Sequence, residues 1–206
     1  MILVLEPSPG LTEPSDWDLL RRTAADDRDA YAALVGRHYR PAVAFCRQVL
    51  GDHHRAEDVV QRGFLNIFRS AGRCEERARF KTFLYRVLLN LCLNEMERRA
   101  PLAPLGDEDG EASLAPPRGG FGRTPEDPRA TLERSELRAV LDAAVARLPA
   151  KHRGALYLRE YEGLAYEQIA DVLEASLAEV KIWIHRGRKR LATLLRPYLE
   201  RGEGVG

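Results

Sequence analysis

Residues 165–199 read AYEQIADVLEASLAEVKIWIHRGRKRLATLLRPYL, a short helix, a tight corner and a longer basic helix. At the corner, Ser176-Leu177-Ala178-Glu179 fits a capping box: the Ser176 hydroxyl accepts from the Glu179 amide while the Glu179 side chain reaches back to the Ser176 amide. That sets the start of the second helix, and Pro197 is expected to mark its end. Leu177, Val180, Ile184, Leu191, Leu194 and Tyr198 recur at helical steps and form one apolar stripe, interrupted only by Gly187. The other side carries Ala178, Ile182, His185, Arg186 and Lys189, flanked by Lys181, Arg188 and Arg190, with no acid from Val180 to Leu199. Two readings fit this segment, a solvated surface helix and a helix that docks in a DNA groove. A core helix needs the stripe but not an unbroken positive face. The preceding helix and corner favour helix-turn-helix.

The 206 residues suffice for one large or two small domains, and the composition (45% hydrophobic, 31% charged) is that of a soluble globular chain. A formal charge of +1 does not advertise a nucleic-acid binder, yet the charge is segregated: acids lie in the tail and linker, bases in particular helices. MILVLEPSPG lacks the basic start and apolar length of a signal peptide, and no segment reaches the ~18 apolar residues of a membrane span. A cytoplasmic protein with no membrane insertion is expected. Cys46, Cys74 and Cys92 are odd in number and widely spaced, so neither a disulfide framework nor a metal site is indicated. Cys46 and Cys92 read as core thiols, and Cys74 falls in a charged loop. No nucleophile–base pair, phosphate loop or cofactor motif appears, which argues against an enzyme.

Taken in order, residues 1–14 read as a loose tail, and Ser15 or Asp16 caps a first helix with Trp17, Leu19 and Leu20. A second helix begins near Asp29, with a kink or break expected at Pro41. In residues 55–70, RAEDVVQRGFLNIFRS, the inner face is Val60, Phe64 and Ile67; Asp58, Gln61, Arg62, Leu65 and Arg69 make a second, mostly polar face, by itself most simply solvent-exposed. The charged loop 71–79 leads into FKTFLYRVLLNLCLNEMERR, where Phe80, Phe83, Leu84, Val87, Leu88 and Leu91 point inward. Arg79, Lys81, Tyr85, Arg86 and Asn90 are left on or near another face, a mixture of bases and aromatics that suits single-stranded nucleic acid. Residues 100–128, with six prolines, five glycines and acids at Asp107 to Asp109, read as a linker. The expected organisation is all-α: a helical domain at 15–99, then a second at 129–199 with a short tail to 206. The second domain opens with LERSELRAVLDAAVARL and KHRGALYLREYEG.

These residues resemble the group IV, or extracytoplasmic-function, sigma factors, the bacterial RNA polymerase subunits that direct promoter recognition. AYAALVGRHYRPAVAFCRQVLGDHHRAEDVVQRGFLNIFR with FKTFLYRVLLN looks like sigma region 2. LPAKHRGALYLREYEGLAYEQIADVLEASLAEVKIWIHRGRKRL looks like sigma region 4. The resemblance implies that Asp58, Gln61, Arg62 and Leu65 dock on the polymerase β′ clamp, and that the second domain meets the β flap. It implies that loop 71–79 (Cys74, Glu75, Glu76, Arg77, Arg79) with Lys81, Tyr85 and Asn90 melts and reads the −10 element. It assigns −35 contacts to Arg159, Lys181, Ile182, His185, Arg186 and Lys189. It also implies promoter DNA and an anti-sigma factor as partners, and no cofactor. Three positions depart from the family pattern: Arg62 where an acid is usual, Cys74-Glu75-Glu76-Arg77 in the specificity loop, and Ile182-Trp183 in the recognition helix. Two rival readings are a polymerase-independent helix-turn-helix regulator and a helical enzyme or redox protein using His53, His54 and Cys74.

Overall fold

The computed structural model describes residues 13–98 and 140–202, with side chains as far as Arg196. The expected linker, residues 1–12 of the expected tail and the start of the helix expected from Leu132 lie outside the described residues. Every regular element among the described residues is helical.

Helix α1 (Asp16–Ala24) starts at Ser15, which forms a capping box with Asp18. Its carboxylate accepts from the Ser15 hydroxyl and pairs with Arg21, which lowers the Asp18 pKa to about 2. Helix α2 (Arg28–Leu50) is capped by Asp27 and ends at Gly51, whose φ is +73°. Pro41 lies within α2 without breaking it. Asp52 caps α3 (His53–Ser70), a 3₁₀ turn follows at Ala71–Arg73, and α4 (Phe80–Glu97) comes after an irregular loop. Val59, Val60, Phe64 and Ile67 of α3 and Leu84, Leu88 and Leu89 of α4 close over Leu34, Phe45 and Val49 of α2. Close approach of α3 to α4 requires Gly63, because a Cβ there would sit 2.7 Å from a Leu88 methyl. Cys46 and Cys92 are both fully buried, as expected of core thiols.

In the second half, α5 (described over 140–146) precedes α6 (Ala150–Glu160), α7 (Tyr166–Leu173) and α8 (Leu177–Gly202). Ile169, Val172 and Leu173 of α7 pack with Val180 and Ile184 of α8 over Ala155 and Leu158 of α6. The corner between α7 and α8 turns at Glu174, in the left-handed region at φ +50° where a glycine is commoner. The capping box at the start of α8 forms as read: the Glu179 amide donates to the Ser176 hydroxyl at 3.2 Å, and the Ser176 amide donates to the Glu179 carboxylate at 2.8 Å. The end of α8 departs from expectation, since the helix runs past Pro197 to Gly202. A proline forfeits its own N–H, here the bond to the Thr193 carbonyl, and the helix continues on either side of it. The gap in the stripe at Gly187 also has a reason: a Cβ would lie 2.6 Å from a Leu156 methyl, so α6 and α8 cross there in contact.

The two halves share one core. Helix α2 packs on α6 and α4 on α7, with Phe45 touching Tyr85 at 4.9 Å and Tyr157 at 5.7 Å between ring centres. Arg153, 2% exposed, donates to the Ala146 and Leu148 carbonyls near the end of α5 at 3.0 and 2.7 Å, and across to the Val49 carbonyl of α2.

Candidate functional site

Three surfaces carry the residues singled out by the sequence. The first is the outer side of α8. Lys181, Ile182, His185, Arg186 and Lys189 are all exposed, and Ile182, at 46%, is an apolar side chain open to solvent. Of the stripe on the opposite side, Val180 and Ile184 are buried, Leu191 and Leu194 half-buried, and Leu177 is exposed at the start of the helix. Arg188, on the flank, bonds the Glu160 carboxylate of α6. Arg159 is half-buried, donates to the Leu164 carbonyl at 2.9 Å and lies over the Tyr166 ring at 4.9 Å. It braces the turn between α6 and α7 while its edge remains accessible. Trp183 is half-buried, stacked on His152 at 5.9 Å and below the Lys151 ammonium at 5.6 Å, which makes it packing of α8 on α6.

The second surface is an open groove between α3 and α4, lined by Asp58, Gln61, Arg62, Leu65, Glu95 and Arg98. Leu65 and Phe68 are 42% and 38% exposed, large apolar side chains one turn apart. The atypical Arg62 pairs at 3.1 Å with Glu95, whose side chain is 9% exposed. The base at position 62 therefore answers an acid on the neighbouring helix, with Arg98 at 3.6 Å from the same carboxylate. Neither Glu95 nor Phe68 was singled out by the sequence. Phe68 lies at i+3 from Leu65 but outside the groove, with its ring 4.9 Å from that of Tyr31 of α2.

The third surface is loop 74–79. Trp17 of α1 pins it: the indole N–H donates to the Ala78 carbonyl at 2.9 Å, and the ring meets Phe80 and Phe83 at 5.7 and 5.8 Å. Arg21 of α1 pairs with Glu76 at 3.0 Å, and Arg77 pairs with Glu75 at 2.6 Å. Glu75, Glu76, Arg77 and Arg79 are exposed, whereas Cys74 is half-buried with its sulfur 3.5 Å from the Ser70 hydroxyl. An open groove beside the loop is lined by Ser15, Asp16, Trp17 and residues 76–81. Of the α4 residues expected there, Lys81 lines it, whereas Tyr85 and Asn90 do not. Asn90 is exposed and shares a side of the helix with the exposed Arg86, on the far side from Lys81. Lys81 is half-buried in an ion pair with Glu162 at 2.5 Å, and Tyr85 is 1% exposed beneath the second half. Tyr85 was expected on a free face. The structure covers it, because α6 and the turn before α7 pack over that side of α4.

Among the described residues no cluster of His, Cys, Asp and Glu is arranged to hold a metal ion, and no helix is long and apolar enough to cross a membrane.

A helix-turn-helix with an acid-free outer face, joined in one chain to a helical bundle with a partly apolar groove and a pinned charged loop, defines a two-domain all-helical DNA-reading protein. Residues 34–101 match the model for Sigma-70 region 2 and residues 138–191 the model for Sigma-70, region 4. RNA polymerase sigma-H factor from Pseudomonas aeruginosa is 30% identical over 92% of this chain and 98% of its own length. ECF RNA polymerase sigma factor SigW from Bacillus subtilis is 28% identical over 86% and 95%. The chain belongs to the extracytoplasmic-function sigma factors of the sigma-70 family, the transcription initiation factors of bacterial RNA polymerase. The fold is shared with CnrH, solved in complex with the cytosolic domain of CnrY, at a TM-score of 0.62 and 21% identity over 89% of this chain and 99% of that one. It is shared also with the sigma factor RpoE of Bartonella quintana, solved with the anti-sigma factor NepR, at 0.59 and 20% over 81% and 96%.

Proposed function

We propose that the three surfaces divide the work of one initiation event. The groove of α3 and α4 takes the β′ clamp of core polymerase, with Leu65 supplying apolar contact and Asp58, Gln61 and Arg62 the polar rim. The second half meets the β flap and lays the outer side of α8 in the −35 major groove. Lys181 and Arg186 offer donors to base edges or phosphates, and Ile182 offers apolar contact of the kind a thymine methyl accepts. Loop 74–79 and the adjoining groove receive the opened −10 strand, with Lys81 tracking phosphate and an extruded base seated beside Trp17. The chain does no covalent chemistry of its own; the relatives are sigma factors, and bond formation belongs to the polymerase. It works in the cytoplasm, and an anti-sigma factor controls it; the two solved relatives, each held with a protein partner, support that reading.

The observation that carries this proposal is the α8 face, exposed and free of acids, in the same chain as the apolar-and-polar groove of α3. Run-off transcription with purified core enzyme and a promoter library tests it. Initiation from a defined promoter class is expected. Replacing Lys181 or Arg186 by Ala should cost ~1–3 kcal/mol and relax sequence preference where a base edge is read, or weaken every promoter equally where only phosphate is touched. Tight, sequence-specific duplex binding without core, together with no transcription in its presence, would replace this proposal with an independent regulator.

A further inference from the structure

The atypical Arg62 is held from another helix. Its Nε donates to the Asp58 backbone carbonyl at 3.4 Å, and its Nη2 donates to the Glu95 carboxylate of α4 at 3.1 Å. An acid four residues before an arginine is within its reach on a helix. Among the described residues, however, the ion pair of Arg62 crosses to Glu95 instead of returning to the Asp58 carboxylate. Arg98 approaches the same Glu95 oxygen at 3.6 Å, so two guanidiniums share one carboxylate.

Burial divides these three groups. The Glu95 side chain is 9% exposed, whereas those of Arg62 and Arg98 are 42% and 69% exposed. A carboxylate removed from water needs cations close by, and this one draws both onto the groove that Asp58, Gln61 and Leu65 also line. Two positive charges against one negative leave a cation in excess there. Asp58, exposed and one turn before Arg62, is not consumed by it. Beside the exposed Leu65 the groove thus offers both an acid and a surplus base. An Arg62 neutralised by its own helix neighbour would leave a partner neither.

We propose that Glu95 is a positioning residue for core polymerase: it turns Arg62 across the groove so that, together with Arg98, Arg62 meets an acidic side chain of the clamp beside Leu65. This rests on the assignment of the groove to the β′ clamp. Glu95, nearly buried, acts through Arg62. Without its charge Arg62 folds back on Asp58, and both groups are lost to the partner.

The test is the affinity of the labelled full-length chain for purified core enzyme, measured by fluorescence anisotropy over a range of salt. Glu95→Gln keeps the side-chain shape and removes the charge, and should bind core on the order of tenfold more weakly. Arg62→Ala should lose about as much. The double variant R62A/E95Q should be no weaker than R62A, because a support matters only while the supported side chain is present. Wild-type affinity should also fall more steeply with salt than that of R62A. The exchange R62E/E95R separates positioning from stability. It restores opposite charges between α3 and α4, and with them most of the resistance to urea, but sets an acid where the acid of the clamp arrives. Its core affinity should therefore stay at or below that of R62A. Wild-type affinity in folded E95Q or in folded R62E/E95R would overturn the proposal, as would a further tenfold loss from E95Q in the R62A background. A wild-type chain that does not bind core at all would instead remove the functional reading on which it depends.

Discussion

Arg153 offers the sharpest test of how the fold is held. Its guanidinium is 2% exposed and donates to three carbonyls, Ala146, Leu148 and Val49, which belong to the C-terminal ends of two helices. Such carbonyls lack partners within their own helices and lie at the negative ends of the helix dipoles, so a buried cation is stabilised there. Desolvation lowers its pKa from 12.5 to about 10, a cost of roughly 3 kcal/mol that leaves it charged at neutral pH. Against this stand three charge-assisted bonds of about 1.5–3 kcal/mol each. The balance favours the arginine by roughly 3 kcal/mol. Arg153→Met keeps most of the volume but leaves the carbonyls without a donor, so urea denaturation should show a loss of about 3 kcal/mol, or a melting temperature lower by roughly 6–12 °C. Arg153→Lys should recover only part of this, because an ammonium cannot span acceptors on separate helices. A Met variant within ~0.5 kcal/mol of wild type, the usual scatter of surface changes, would refute this account of the carbonyls.

Arg62→Glu should destabilise the first domain by about 1–2 kcal/mol by facing the nearly buried Glu95 with a like charge, and the R62E/E95R exchange should recover most of it, as a urea double-mutant cycle would read. Trp17→Phe removes the indole bond to the Ala78 carbonyl; about 1 kcal/mol of stability and faster hydrogen exchange in loop 74–79 are expected, with promoter opening weakened more than −35 binding. The Asp18 carboxyl, lowered from 3.8 to about 2 chiefly by the Ser15 hydroxyl, contributes stability that is present above pH 3.8 and lost as pH falls through about 2. NMR titration should place it there in the wild type and move it upward in Ser15→Ala.

Helical period and short-range chemistry were enough to read most of the local structure. Ser176 and Glu179 start α8 because a capping box is satisfied within four residues, and Val180 and Ile184 turn inward because the stripe repeats with the helix. The free basic face of α8 follows from the same phase, which is why that part of the site was legible. Asp58, Gln61, Arg62 and Leu65, which helical spacing put on one face of α3, line the groove beside α4.

What period cannot tell is which element lies against a face. Tyr85 and Lys81 read as open because nothing near them in sequence covers them, and the Glu162 that meets them comes from the other half of the chain. The partner of Arg62, the double helix-end role of Arg153 and the reason for glycine at 63 and 187 likewise depend on contacts between separate helices. The sequence by itself determined the helices, their caps and their amphipathic faces, because those rest on residues within a few turns of one another. Only the tertiary structure decided which face is occupied and by what, because that depends on how the packed helices fill space together.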